Sequence, residues 1–294
     1  MNKVGFIGVG IMGKSMVRNL MKAGFELHIY ARTKSKVEDV IGEGAQFHES
    51  IKDCVQDCDA VITIVGFPQD VEEVYFDQGN ILDSAKKGAY LIDMTTTSPQ
   101  IAEKIYEEGT KRGFHVMDAP VTGGDTGAKA GTLSILVGGE KEDYEACMSL
   151  FEAMGTNINY QGKAGCGQHC KLANQIMIAG TLSGVCEALT YAKEQGLDPE
   201  VFMKSVATGA AGSKQLDTFG PKILKDDYAP GFFMKHFIKD MKLALIEANR
   251  KGLSLDVLSM VLANYEELEQ EGYGDLGTQA LMKFYDEEHR NTEE

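Results

Sequence analysis

Gly8, Gly10 and Gly13 together constrain this chain more than any other feature. Val4-Gly5-Phe6-Ile7 reads as a short buried strand. Gly8-Val9-Gly10-Ile11-Met12-Gly13 follows it, then an amphipathic helical pattern through Leu20 to Gly24, then a second strand, Glu26-Leu27-His28-Ile29-Tyr30. In this context each glycine has its own task. Gly8 permits a tight turn, Gly10 lets the backbone approach a pyrophosphate, and Gly13 lets the helix pack close to the strand. The pyrophosphate would rest on the N–H groups of the first helical turn, which have no partner inside the helix. The expectation is a dinucleotide site built on Gly8, Val9, Gly10, Ile11, Met12 and Gly13.

Up to residue 162 the pattern alternates. Strands are predicted at 3–8, 26–30, 60–65, 89–93, 114–118, 133–138 and 156–160. Helices are predicted at 11–23, 34–42, 49–56, 69–75, 98–112 and 141–153. Such alternation predicts an α/β Rossmann domain, a doubly wound and mostly parallel sheet with ligands at the carboxyl ends of its strands. Beyond Gly162 strand alternation stops. Residues 163–195 read as one long helix, apolar nearly all round and therefore buried, with further helices at 199–208, 213–224, 235–251 and 254–271. The predicted organisation is a dinucleotide-binding domain over 1–162 and an all-α domain over 163–294, joined by a long interdomain helix. The charged tail from Asp286 to Glu294 is expected to fray.

Composition narrows the class. At 294 residues two domains are expected, and 43% hydrophobic content is enough for two cores. A net charge of −15 argues against a nucleic-acid binder, which needs a basic face, and against an anionic membrane surface. The chain enters a strand directly, with no basic segment followed by an apolar stretch, and it has no run of about 18 apolar residues. Its six cysteines include no Cys-x-x-Cys pair. Cys54/Cys58 and Cys166/Cys170 stand four apart, hence each pair on one helix face, but a metal site would need further convergent ligands, so no metal is expected. These readings predict a cytoplasmic protein with reduced thiols.

The second strand ends His28-Ile29-Tyr30-Ala31, and Arg32-Thr33-Lys34-Ser35 follow. NAD sites commonly place a carboxylate at this tip to accept from the ribose hydroxyls. Here two cations and two hydroxyls stand instead, which suits a 2′-phosphate; Arg can stack on adenine and fork onto phosphate oxygens. Ala31, Arg32 and Thr33 are therefore expected to meet the adenosine end, and NADP is favoured over NAD.

Two segments suggest a substrate end. Asp118-Ala119-Pro120-Val121-Thr122-Gly123-Gly124 closes on paired glycines, whose bare N–H groups together with the Thr122 hydroxyl can hold a carboxylate; a plain strand-to-helix turn is the alternative. Gly165-Cys166-Gly167-Gln168-His169-Cys170-Lys171-Leu172-Ala173-Asn174-Gln175 opens the long helix. Lys171, Asn174 and Gln175 share one face of it. Polar groups on a buried helix need partners, and a ligand is one. Lys239-Asp240, taken alone, reads as a surface pair.

Together these segments resemble the β-hydroxyacid dehydrogenase family, which includes 3-hydroxyisobutyrate dehydrogenases, tartronate semialdehyde reductases and glyoxylate/succinic semialdehyde reductases. The resemblance covers essentially the whole chain. It rests on Gly8 to Gly13 with Asn19-Leu20, Asp93-Met94-Thr95-Thr96, Asp118 to Gly124, Gly165-x-Gly167-x-x-x-Lys171-x-x-Asn174, and Pro230-Gly231-Phe232 with Lys239-Asp240. It implies that Lys171 is the catalytic lysine and Asn174 the substrate-orienting asparagine. It implies that Thr122, Gly123 and Gly124 hold the substrate carboxylate, and that Thr96, Lys239 and the Val65-Gly66 loop contact the cofactor. Val65-Gly66 departs from the family's usual Leu-Pro, Gln175 stands where a second Asn is common, and Thr122 where Ser is common.

The implied reaction moves a hydride between nicotinamide and a carbonyl carbon, with Lys171 stabilising charge on oxygen and exchanging its proton. Desolvation and Lys239 as a second cation would ease release of that proton. His169 and His236 are not assigned catalytic roles. Two rivals share the scaffold. An imine reductase generally lacks the lysine, and a non-catalytic NADP-binding module tends to lose the lysine or the Thr-Gly-Gly loop. Phosphogluconate dehydrogenase is considerably longer. The apolar C-terminal helices predict a homodimer or homotetramer. The expected partner is a small carboxylate substrate, with no nucleic acid and no membrane.

Overall fold

The structure, a computed structural model, describes residues 1–285. The tail expected to fray, 286–294, lies outside the described residues. The chain divides into two compact units, Met1–Lys171 and Leu172–Glu294.

The first unit is built on nine strands: β1 (Lys3–Ile7), β2 (Glu26–Tyr30), β3 (Gln46–Phe47), β4 (Ala60–Thr63), β5 (Tyr90–Asp93), β6 (His115–Asp118), β7 (Val121–Thr122), β8 (Leu133–Gly139) and β9 (Gly155–Gly162). Their order is β3-β2-β1-β4-β5-β6-β8-β7, with β9 also paired to β8. From β3 to β6 every pairing is parallel, whereas β8 runs antiparallel to β6 and β7. The order reverses at β1/β4, the crevice where doubly wound sheets bind their ligands.

Two apolar layers cover this sheet, and the two-residue period of a strand assigns side chains to them. Val4 and Phe6 of β1, Ala60 and Ile62 of β4, and Ile92 of β5 join one layer with Met16, Val17 and Leu20. Ile7, Val61 and Leu91 join the other with Val55, Val71 and Tyr75. Burial on both faces explains why these strands read as continuous apolar runs. Each large side chain buried this way contributes about 1.5–3 kcal/mol.

The helices of this unit are α1 (Ile11–Lys22), α2 (Glu38–Gly42), α3 (Ile51–Val55), α4 (Pro68–Phe76), α5 (Ile81–Ser84), α6 (Pro99–Lys111), α7 (Gly124–Ala130), α8 (Lys141–Ala146) and α9 (Met148–Met154). The helix predicted at 34–42 is a 3-10 turn followed by α2, and that at 141–153 breaks at Cys147. β3, β7, α5 and α7 escape the sequence pattern because two to seven residues are too few to establish a period. α3 ends before Cys58, so Cys54 and Cys58 do not share a helix; the Cys58 thiol donates to the Cys54 carbonyl at 3.1 Å.

α10 (Cys166–Glu194) begins in the first unit and continues into the second, which adds α11 (Pro199–Val206), α12 (Lys214–Ile223), α13 (Met234–Arg250) and α14 (Asp256–Gln270). Leu172, Ala179, Leu182, Cys186 and Leu189 of α10 pack with Phe237, Met241, Val261 and Tyr265. By length and composition α10 is apolar enough to cross a membrane, but these side chains form the core of the second unit. The expectation that α10 is buried all round is corrected. Met177 is 74% and Tyr191 67% exposed, so one stripe faces outward.

Candidate active site

The glycine loop leaves the carboxyl end of β1 and enters α1. Gly8 has φ +99°, and a Cβ there would lie 2.0 Å from the Ile64 carbonyl oxygen. A Cβ on Gly13 would lie 2.1 Å from the Gly8 carbonyl oxygen. Both glycines are thus imposed by packing. Gly10 differs, because a Cβ there would meet nothing within 4 Å. It borders open space at the start of α1, where no side chain caps the helix and no acidic residue stands in the first turn. Unpartnered N–H groups and the positive end of the helix dipole suit a pyrophosphate. The residues present therefore fit a dinucleotide.

At the tip of β2, Ala31 is half-buried and Arg32 and Thr33 are exposed. The Arg32 guanidinium donates to the Asp70 carboxylate and, at 3.5 Å, to Glu73. Asp70 also accepts the Phe67 backbone N–H at 3.0 Å. The hydrogen bond that Arg32 donates to Asp70 leads in raising the Arg32 pKa above its ordinary range. Lys34 lies 3.4 Å from Glu49 and over the Phe47 ring. The positive cluster read from the sequence is thus matched by carboxylates from elsewhere in the chain, which no local pattern could reveal.

Three loop segments meet at Thr95. Its hydroxyl accepts the Val65 N–H at 3.0 Å, which fixes the Val65-Gly66 loop. Its own N–H donates to Asp93 at 3.2 Å, and its carbonyl accepts the Gln168 side-chain amide at 2.7 Å. The Gln168 amide oxygen accepts the Thr97 N–H at 3.0 Å. Thr96, the expected cofactor contact, is half-buried between these two anchored residues. Asp93 is enclosed; it accepts from the Thr63 hydroxyl at 2.7 Å, and burial pushes its pKa up to about 6.

Asp118, at the end of β6, anchors the start of α10. One carboxylate oxygen accepts the Gly165 N–H and the other the Gln168 N–H, both at 2.8 Å. Gly167 must be glycine, since a Cβ would lie 2.3 Å from the Leu136 carbonyl oxygen. Lys171 follows Gln168 by three residues on the same helix and is buried. Thr122 ends β7, and Gly123 and Gly124 take φ +130° and +63°. Asn19 of α1 donates to the Ala128 carbonyl of α7 at 2.7 Å, so α1 and α7 are tied together.

In the second unit, Asn174 donates to the Gln175 side-chain oxygen at 2.8 Å, and the Gln175 amide donates to Asp240 at 2.7 Å. Asp240 is ion-paired with Lys239 at 2.9 Å. The surface reading of Lys239-Asp240 is corrected, because the Asp240 side chain is 1% and that of Lys239 12% exposed. Gln175, left open as a ligand contact, is occupied by Asn174 and Asp240. Asp118, Gln168 and Asp240 stand inside the sequence motifs, where nothing local gives them a role at the site. Their partners lie 47 to 73 residues away in the chain, beyond any local signal.

Residues 3–162 match the family described as the NAD binding domain of 6-phosphogluconate dehydrogenase. Residues 165–285 match the NAD-binding family of NADP-dependent 3-hydroxyisobutyrate dehydrogenase. The chain is 49% identical to the uncharacterized oxidoreductase YkwC of Bacillus subtilis, over 96% of this chain and 98% of that protein. It is 44% identical to the probable 3-hydroxyisobutyrate dehydrogenase-like 1, mitochondrial, of Arabidopsis thaliana, over 95% of this chain and 84% of that one. Among solved structures, Mycobacterium tuberculosis 3-hydroxyisobutyrate dehydrogenase with L-serine superposes with a TM-score of 0.88 at 26% identity, over 96% of this chain and 98% of that one. Glycine loop, sheet order and these likenesses agree, and the chain belongs to the β-hydroxyacid dehydrogenase family of NAD(P)-dependent oxidoreductases.

Proposed function

We propose that this protein transfers a hydride between NADP(H) or NAD(H) and a small hydroxyacid or semialdehyde. The substrates would be of the 3-hydroxyisobutyrate, 2-hydroxy-3-oxopropionate or succinic semialdehyde kind. The bound nicotinamide would supply or take up the hydride. The observation that carries the reading is a buried lysine, Lys171, on a helix turn anchored by Asp118 and Gln168 to the loop that holds Thr96. Lys171 would stabilise the oxygen that gains charge and give it a proton, and in the reverse direction would accept that proton. Asn174, one turn further on, would orient the substrate. Thr122, Gly123 and Gly124 would hold its carboxylate, with two positive-φ glycines leaving the backbone N–H groups bare. Gly8 to Gly13, Ala31, Arg32, Thr33, Val65, Gly66, Thr96 and Lys239 would hold the cofactor.

NADP is the favoured cofactor, on the strength of Arg32 and the absence of an acidic residue in the Ala31–Ser35 stretch. A homodimer or homotetramer is proposed, supported by exposed Met177, Tyr191, Val201, Leu253, Val257 and Met260 in the second unit. A cytoplasmic location is proposed from the free thiols at all six cysteines. A panel of small semialdehydes and hydroxyacids assayed with NADPH and NADH tests the function. Turnover of at least one supports it, and none across the panel overturns it.

A further inference from the structure

Gln168 is fully buried, and every polar group it owns on this face is engaged within the first unit. Its backbone N–H reaches Asp118 at 2.8 Å, its side-chain oxygen accepts the Thr97 N–H at 3.0 Å, and its amide donates to the Thr95 carbonyl at 2.7 Å. The two side-chain bonds straddle Thr96. Thr95 in turn holds the Val65 N–H through its hydroxyl. One carboxamide therefore joins the first turn of α10 to the loops that leave β4 and β5. Lys171 stands three residues on, roughly 4.5 Å along the helix axis.

We propose that Gln168 is a positioning residue for the reaction: it clips the turn that carries Lys171 to Thr95 and Thr97, so that the lysine and the Thr96 loop move as one piece. This rests on the hydride-transfer reading above. The clip needs a donor and an acceptor on one planar group, since Thr95 offers a carbonyl and Thr97 an N–H. Few other side chains satisfy both. A carboxylic acid does so only when protonated, its carbonyl accepting from Thr97 and its hydroxyl donating to Thr95. Ionised, it sets an anionic oxygen against the Thr95 carbonyl.

The test is Gln168→Glu beside Gln168→Leu, followed through kcat, NADPH affinity, pH profile and amide exchange. Burial favours the protonated form of the new carboxyl. The kcat of Gln168→Glu relative to wild type should therefore be highest in mild acid and fall as pH rises. Asp118 accepts the Gln168 N–H and Asp93 the Thr95 N–H, and both carboxyls are present in both proteins, so the pH dependence that the two proteins share cancels in the ratio. Gln168→Leu should lose about 10²-fold in kcat at every pH while NADPH still binds, the size expected for a displacement of about 1 Å. The Thr97 amide should exchange faster in folded Gln168→Leu than in wild type, since leucine offers its N–H no acceptor. If Gln168→Leu does not fold, the pH dependence of Gln168→Glu decides alone. A ratio independent of pH, unchanged exchange at Thr97, or a folded Gln168→Leu with wild-type kcat overturns the clip and leaves the functional reading intact. A wild-type protein inactive on the whole panel overturns both.

Discussion

The Asp118 carboxylate accepts the backbone N–H of Gln168 at 2.8 Å, fifty residues away in the chain. With the Gly165 N–H on its other oxygen, it satisfies two donors at the start of a long helix. Helix starts leave such donors orphaned. Burial raises the Asp118 pKa and these two N–H bonds oppose that rise. Asp118→Asn should destabilise the protein by about 1–3 kcal/mol, because an amide N–H₂ then faces a backbone N–H. Urea denaturation measures it, and an unchanged midpoint would show that the anchor contributes nothing.

Asp93 gives a pH signature. Its pKa in the fold is about 6, against about 4 in an unfolded chain. Between those values the folded state binds more protons, so this group's contribution to stability is full below about pH 4 and declines as pH rises to about 6. Asp93→Asn should remove that decline. The melting temperature of the variant minus that of wild type should rise by several degrees from pH 4.5 to 7. A difference that stays flat across this range would contradict the burial argument.

The glycine loop separates packing from binding. Gly10→Ala meets open space and should leave stability close to wild type while weakening NADPH binding by about tenfold or more, equivalent to about 1.4 kcal/mol. Gly8→Ala and Gly13→Ala drive a Cβ into backbone oxygens and should cost at least about 1–3 kcal/mol of stability. Fluorescence titration and denaturation read the two effects independently. Unimpaired NADPH binding by Gly10→Ala would place the pyrophosphate elsewhere.

Lys171→Ala should lower kcat by about 10²–10⁴-fold, the usual scale of general acid–base catalysis, with NADPH affinity retained. Near-normal turnover would remove the lysine from the chemistry.

Arg32 is bonded to Asp70 in the structure. If it also meets a 2′-phosphate, Arg32→Ala should weaken NADPH by about 1.5–3 kcal/mol and leave NADH nearly unchanged. Asp70→Ala should strengthen NADPH binding by releasing the guanidinium. Equal KM values for the two cofactors in the wild type would dismiss Arg32 as a selector.

Much of this was legible in the chain itself. Strands buried on both faces give unbroken apolar runs such as Val4 to Ile7, and helices give a 3.6-residue period, so β1, β2, β4, α1 and α6 stand close to their predicted limits. The glycines at 8 and 13 are readable because a tight turn and a close helix–strand approach lie within the loop itself, although the Ile64 carbonyl that also excludes a Cβ at Gly8 comes from far along the chain. What the tertiary structure alone decided is which distant polar groups meet. Asp70 finds Arg32, Asp118 and Gln168 fasten the turn before Lys171, and Asp240 takes Gln175 and Lys239 into the interior. Hydrogen bonds and ion pairs act over about 3 Å, whatever the separation in sequence. A linear pattern records periodicity, which sets secondary structure, but not the folding back of one loop end onto another, which determines these contacts.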